Sequence, residues 1–177
     1  MTDSGRDADY MLQALELASL AGSHGEVPIG ALVVRNDQIV GAARNEMEHR
    51  QDASAHAEIL AIREASKRLD SWRLDDCTLY ATLEPCPMCA GAILNARISR
   101  VVYGARDHRL GACHTHWALL TQNPIGRQID LRDGVLEAES AALLKSFFKD
   151  LREGRRESSK IRRGLAQPAA DCLNSNP

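Results

Sequence analysis

Residues 78–95 read TLYATLEPCPMCAGAILN, and this stretch decides the fold class. Its first six residues are β-branched, aromatic or apolar and predict a buried strand. Pro85 interrupts the strand, and residues 86–95 predict a helix that carries Cys86 and Cys89 in its first turn. The stretch is therefore a strand-to-helix unit with two cysteines at the junction, where open α/β sheets place their ligand sites.

Strands and helices alternate on both sides of this unit. Apolar residues at helical spacing predict a helix over residues 9–21, and two apolar runs joined by a turn at 36–38 predict a hairpin. Ser54 is a suitable N-cap for the next helix. The remaining predicted elements are a helix over 54–69, strands at 100–104 and 128–131, and a C-terminal helix over 136–151. The order predicts an α/β fold of three layers, α/β/α, around a central mixed sheet of about five strands.

Length and composition are those of a single globular domain. The 177 residues (19.4 kDa) are 44% hydrophobic and 26% charged. An odd number of cysteines, five, in a chain whose first residues are polar and acidic favours reduced thiols or metal ligands over disulfides. Lacking an apolar run of about 20 residues, the chain is predicted to be cytoplasmic and not membrane-bound. We expect a domain over residues 1–160 and a disordered tail over 161–177, which is rich in Ala, Pro, Asn and Ser.

Charge is distributed unevenly along the chain. The formal net charge is −2, yet residues 145–163 contain eight Lys or Arg and three acidic residues. This stretch therefore carries +5 and leaves −7 for the remainder. A basic segment on an acidic body is a candidate for phosphate binding, and charge alone indicates a solvated helix end equally well.

Two short segments hold the residues that could carry chemistry. His56 and Glu58 begin one predicted helix, and Cys86 and Cys89 begin another. Thiolates and an imidazole are preferred zinc ligands, and three protein ligands leave the fourth position open, as in catalytic sites. A zinc ion lowers the pKa of its water toward about 7, and Glu58 is suitable as the proton carrier beside it. Short cysteine pairs also occur in redox and structural sites, and a histidine by itself is more often a core or capping residue.

Taken together, these segments resemble the zinc nucleoside and nucleobase deaminases. The sequence is similar, more narrowly, to the bacterial tRNA-specific adenosine deaminases. The matching segments cover most of the first 150 residues and are 26–30, 82–86, 102–107 and 141–148.

The resemblance implies a fold, an activity and roles for particular residues. It implies a cytidine-deaminase-like fold and a homodimer with sites near its interface. The implied activity is hydrolysis of adenosine to inosine at the wobble position of a tRNA anticodon, usually of an arginine tRNA. His56, Cys86 and Cys89 would bind one Zn²⁺ per subunit, Glu58 would move protons, and Asn45 would hydrogen-bond adenine.

Further substrate contacts are carried over from the family by position. Val27 and Pro28 would line the base pocket, and Asp107 and His108 would meet neighbouring nucleotides. Phe148 and Arg152 would end a helix that contacts RNA. Without the family, Asn45 would be interpreted as a turn residue. The C-terminal helix would equally be one that packs phenylalanine on the core and solvates its Lys and Arg.

The sequence departs from the family after Gly111 and Ala112, where a small residue and a glycine usually follow. Here the run is CHTHW, residues 113–117, which puts the conformation of this loop in question. Neighbouring positions rarely converge on one ion, so we interpret Cys113, His114 and His116 as loop residues rather than a second metal site. Two rival functions remain open: deamination of a free base or nucleoside (guanine, cytosine or cytidine), and a non-catalytic, zinc-stabilised RNA-binding module.

Overall fold

A computed structural model describes residues 3–154, which form a five-stranded sheet with helices on both faces. The strands are β1 (Gly30–Arg35), β2 (Gln38–Arg44), β3 (Thr78–Leu83), β4 (Arg100–Ala105) and β5 (Asp130–Arg132). The helices are α1 (Asp3–Ser23), α2 (Met47–Arg50), α3 (Ala57–Arg68), α4 (Pro87–Ala96) and α5 (Glu137–Arg152). No helix in residues 3–154 is both long and apolar enough to cross a membrane.

The strand order is β2-β1-β3-β4-β5, and the sheet is mixed as predicted. β1 pairs antiparallel with β2 and β3, whereas β3, β4 and β5 are parallel. The β1–β2 hairpin turns at Asn36 and Asp37, which have φ values of 49° and 58°. Asn and Asp tolerate this left-handed conformation, and two such residues form the tight turn whose twist matches paired strands.

Each face of the sheet buries a separate core, and together they give the three predicted layers. On one face α3 and α4 cover the sheet with side chains that include Ala61, Ile62, Ala90 and Ile93. On the other face α1 and α5 pack around a core that includes Met11, Leu15, Tyr80 and Val102. Because all three parallel strands end at the same edge, the loops that follow β3 and β4 emerge side by side.

Several predicted boundaries need correction. α1 begins at least six residues before the predicted start at residue 9, because Asp7 turns inward and binds Tyr80 and Arg100. The assignment of Ser54 as N-cap was wrong. Its backbone N–H and its hydroxyl both donate to Asp52 Oδ1 (2.8 and 2.7 Å), and the N-cap of α3 is His56.

The C-terminal helix was predicted within one residue of its observed bounds. Phe147 of this helix is buried, whereas Leu143, Leu144 and Phe148 are half-buried. The tail over residues 161–177, the domain limit at residue 160 and the basic residues from 155 onward lie outside the described residues.

Candidate active site

Two helix N-termini meet at the site. His56 is the N-cap of α3 and Cys86 is the N-cap of α4, and both have extended backbone angles. Neither side chain makes a capping hydrogen bond, and the imidazole and the thiol meet between the two helices. Cys89 follows one turn into α4 and is fully buried. The positive ends of both helix dipoles therefore lie near the sulfur atoms of Cys86 and Cys89 and favour their thiolate forms.

His56, Cys86 and Cys89 converge as predicted. His56 Nδ1 lies 3.7 Å from Cys86 Sγ and 3.5 Å from Cys89 Sγ, and the two sulfurs are 3.6 Å apart. In the part of the chain that the structure describes, no other group of three His, Cys, Asp or Glu residues has the spacing of a metal site. The predicted convergence of these three side chains is therefore observed, and their role as metal ligands stays a prediction.

The spacing of the three atoms fits zinc. Tetrahedral zinc bonds sulfur at about 2.3 Å and nitrogen at about 2.0 Å, which separates two sulfurs by about 3.8 Å and sulfur from nitrogen by about 3.5 Å. The observed separations of 3.5–3.7 Å are those of ligands already arranged around one ion. Thiolates and imidazole are also the donors that a Zn²⁺ ion prefers over Mg²⁺ or Ca²⁺.

The thiols respond differently to this close contact. Hydrogen bonds with Cys89 and His56 lower the pKa of Cys86 to about 4. The same contact with Cys86, together with burial, raises the pKa of Cys89. Two thiolates at 3.6 Å repel each other, so the second ionises readily only when a cation shares its charge.

Glu58 lies in the first turn of α3 and is only 3% exposed. Burial raises the pKa of its carboxyl group. Its Oε2 atom is buried and has no hydrogen-bond partner among the described residues. A carboxylate that is buried, unpaired at one oxygen and placed beside Cys89 is the arrangement expected for a group that exchanges protons with a ligand.

Asn45 is buried at the end of β2 and is held by Glu26. Its Nδ2 donates to Glu26 Oε2 at 3.2 Å, and its backbone N–H donates to Ile29 O at 2.9 Å. Glu26 is itself 2% exposed and also accepts the backbone N–H groups of Glu48 (3.2 Å) and His49 (2.7 Å). The amide of Asn45 therefore has a fixed orientation, which a simple turn residue does not need.

The other predicted contact residues fall into two groups. Val27 and Pro28 lie between Glu26 and β1, beside Asn45, and are half-buried and buried. The remaining four follow β4 or lie on α5. Asp107 (half-buried) and His108 (exposed) follow β4, whereas Phe148 (half-buried) and Arg152 (exposed) are on α5, on the opposite face of the sheet from α3 and α4. Contact of all six residues with RNA stays a prediction.

The altered loop contains no second metal site. Cys113 is buried, His114 Nδ1 lies 2.6 Å from the hydroxyl of Tyr103, and His116 Nε2 lies 3.0 Å from the carbonyl of His108. These side chains point to different partners, as expected for loop residues.

Sequence reasoning missed two buried carboxylates beside the site, Glu26 and Glu84. Both were quoted only as parts of matching segments, and both accept several backbone N–H groups. A glutamate directly before Pro85 and Cys86, at the end of an apolar strand, is the one signal that could have drawn attention to Glu84.

Comparisons with known proteins agree with this geometry. The family model described as MafB19-like deaminase matches residues 6–152. A Bacillus subtilis protein named tRNA-specific adenosine deaminase is 44% identical over 155 residues, covering 88% of this chain and 96% of the relative. The chain belongs to the tRNA-specific adenosine deaminase family. A second member of this family, from Haemophilus influenzae, is 40% identical and covers 93% of this chain and 94% of its own.

Solved structures show the same fold. A structure from studies of A-to-I editing by tRNA:A34 deaminases at the wobble position of transfer RNA matches with a TM-score of 0.74 and 41% identity. It covers 77% of this chain and 99% of its own. A guanine deaminase from Nitrosomonas europaea matches with a TM-score of 0.69 and 25% identity, over 82% of this chain and 84% of its own.

Proposed function

We infer that this protein deaminates adenosine to inosine at the wobble position of a tRNA anticodon. The observation that carries this inference is the convergence of His56, Cys86 and Cys89 beside the carboxylate of Glu58, whose Oε2 has no hydrogen-bond partner among the described residues. The triad supports a hydrolytic deaminase, and the family membership supports adenosine 34 of tRNA as its substrate.

We propose that the triad holds one Zn²⁺ ion. When bound, zinc acts as a Lewis acid that makes water nucleophilic at neutral pH. The chain supplies the geometry for this chemistry, because the two N-caps and Cys89 are held by two helices that pack against one sheet.

Glu58 is proposed as the proton carrier. Its raised pKa and buried position allow the carboxylate to take a proton from water and the acid to return it to the adenine amine. Replacing the amine at C6 by oxygen releases ammonia, so water must lose a proton and the leaving amine must gain one. Glu58 would carry the proton in both steps. Low solvent exposure keeps that proton from being lost to bulk water.

Asn45 is proposed to orient the base. Glu26 occupies one N–H of the Asn45 amide, which leaves Oδ1 and the second N–H for the adenine edge. Val27 and Pro28 would supply apolar walls, and Asp107 and His108 would meet the neighbouring nucleotides. A single-stranded anticodon loop presents its base already unstacked, which lowers the cost of entry into such a pocket.

The two rival functions are weaker. A free-base deaminase shares the fold, as the Nitrosomonas europaea enzyme shows, but has no use for the basic segment of residues 145–163. A non-catalytic zinc module has no use for Glu58, since a buried carboxylate with an unpaired oxygen costs stability that only a function compensates.

We propose that a second copy of the chain docks on the groove between α3 and α4. This groove of about 590 Å³ is mainly apolar and includes the exposed Met88 and Trp72. Both groove helices begin with residues of the triad, so a dimer formed here places each site near the interface. Ala92→Glu is expected to yield monomers in analytical ultracentrifugation, and Ala142→Glu, at an exposed position of α5, is expected to leave the dimer intact.

The cellular substrate is proposed to be an arginine tRNA in the cytoplasm. Inosine is copied as guanosine, so sequencing total tRNA from cells with and without the gene reports each edited wobble position. We expect A-to-G changes at position 34 of an arginine tRNA only in cells that contain the protein. Unedited position 34 in both cell types would contradict the proposal.

A further inference from the structure

Glu84 holds the loop after β4 against the metal-binding junction. This side chain is 1% exposed and lies two residues before Cys86. Its Oε1 accepts the backbone N–H groups of Cys113 (3.0 Å), His114 (2.7 Å) and Thr115 (2.9 Å). Three consecutive amides that converge on one oxygen form a nest, a geometry that selects a negative group.

The second carboxylate oxygen binds the other end of the same loop. Glu84 Oε2 accepts the backbone N–H of Asp107 at 3.1 Å and the hydroxyl of Thr115. The loop between these two points is additionally tied to the junction, since Ala112 N–H donates to Pro85 O at 2.9 Å. One side chain therefore fixes both ends of residues 107–115.

Close approach at Gly111 makes this arrangement specific. A Cβ atom at position 111 would lie 2.3 Å from Glu84 Oε2 and 2.6 Å from the carbonyl oxygen of Asp107. Neither atom can move without breaking the bonds that hold the loop. Gly111 and Glu84 thus form one contact, and substitution of either residue should disturb it.

The loop that Glu84 holds carries two of the predicted RNA-contacting residues, Asp107 and His108. β3 and β4 are parallel neighbours, with Leu83 paired to Ala105, so residues 84–89 and 106–108 leave the sheet at the same edge. Asp107 and His108 therefore stand beside the helix that supplies two residues of the triad. Their distance from a bound nucleotide depends on how firmly the loop is fixed to this junction.

We propose that Glu84 is a positioning residue for RNA binding, which sets Asp107 and His108 at the distance that the nucleotides beside the target adenosine require. The inference rests on the proposed function. Glu84 touches neither the substrate nor the triad, so its loss should weaken binding of the anticodon loop and leave the chemical step intact.

The test compares Glu84→Gln with the wild type on an anticodon stem-loop that carries adenosine at the wobble position. Glutamine keeps the shape but turns an N–H group toward donors that need an acceptor. We expect KM to rise about tenfold or more, kcat to stay within about threefold, and zinc content to be unchanged. Hydrogen exchange at the amides of residues 113–115 should accelerate. Glu139→Gln, on the exposed side of α5, is the matched control.

Gly111→Ala perturbs the same contact through the loop. If Glu84→Gln does not fold, this variant tests the proposal in its place. It should reproduce the rise in KM, and the double variant should be no worse than the poorer single variant. A fall in kcat or zinc at unchanged KM, or unchanged KM with protected loop amides, would overturn the proposal. If the wild type fails to deaminate the stem-loop, the proposed function fails, and the exchange at 113–115 still decides whether Glu84 fixes the loop.

Discussion

Glu26 Oε2 accepts a hydrogen bond from Asn45 Nδ2 at 3.2 Å, and both side chains are 2% exposed. The pair joins the end of β2 to the segment before β1, which are 19 residues apart in the chain. Since the amide nitrogen is held by Glu26, Asn45 must direct its oxygen elsewhere. The orientation of the proposed base-binding amide is therefore set before any substrate arrives.

Glu26→Gln tests this relationship. The new amide group would face three donors, from Asn45, Glu48 and His49, and leave at least one of them without an acceptor. We expect kcat/KM on the stem-loop to fall by about tenfold to a hundredfold, the equivalent of one misplaced hydrogen bond. Steady-state kinetics would measure the fall. Glu16→Gln, exposed on α1, is the control, and equal kinetics in both variants would show that Asn45 needs no such support.

Glu58→Gln separates catalysis from stability. Without a proton carrier we expect turnover to fall by about 10²–10⁴-fold, while zinc content is retained. Because the change removes a buried carboxyl group with an unpaired oxygen, the melting temperature should equal or exceed that of the wild type. Single-turnover kinetics and calorimetry measure the two effects. Glu64→Gln on the exposed side of α3 is the control; normal turnover in Glu58→Gln would falsify the acid–base role.

His56→Ala tests the triad as a metal site. With two ligands left, we expect the zinc content after dialysis to fall well below one ion per subunit. The melting temperature should fall as well, because metal binding stabilises the folded state and both helices begin at this junction. Elemental analysis measures the zinc. His49→Ala, exposed on α2, should keep full zinc, and full occupancy in His56→Ala would exclude His56 as a ligand.

Asp7 makes stability depend on pH. Although burial opposes ionisation, hydrogen bonds from Arg100 and Tyr80 and the charge of Arg132 hold its pKa below the ordinary value of 3.8. The carboxylate therefore contributes stability that is fully present above the unfolded-state pKa and is lost as pH falls through the lower folded-state pKa.

Asp7→Asn should accordingly cost about 2–3 kcal/mol at pH 7, since it removes the buried carboxylate that pairs with Arg100 and Arg132 and accepts the hydroxyl of Tyr80. The difference from wild type should shrink as the pH falls below the ordinary pKa of the carboxyl group. Urea unfolding at several pH values measures both quantities. Asp9→Asn, exposed on the same helix, is the control, and a cost that is constant with pH would contradict the assigned ion pairs.

The sequence predicted the parts of the fold that depend on local patterns. The strand at residues 78–83 and the helix after it were predicted because β-propensity, Pro85 and the apolar spacing agree. The start of α1 was missed because residues 3–8 are mainly polar, and the reason for their order is a set of ion pairs from Asp7 to Arg100 and Arg132. Those partners are about a hundred residues away and leave no local signal.

The same distinction holds at the site. The metal triad could be predicted, because ligand chemistry restricts the residue types and the helix starts restrict their positions. Glu26 and Glu84 could not, since their partners are backbone N–H groups that every sequence contains. Ser54 was assigned as a cap because its type is right, but Asp52 competes successfully for its donors.

The most direct test incubates the purified, zinc-loaded protein with an anticodon stem-loop carrying adenosine at the wobble position, beside guanine, cytosine and cytidine. Mass spectrometry of digested RNA detects inosine, and released ammonia reports deamination of the small molecules. We expect inosine in the stem-loop and no deamination of the free compounds. Deamination of a free base while the wobble adenosine stays intact would contradict the assignment.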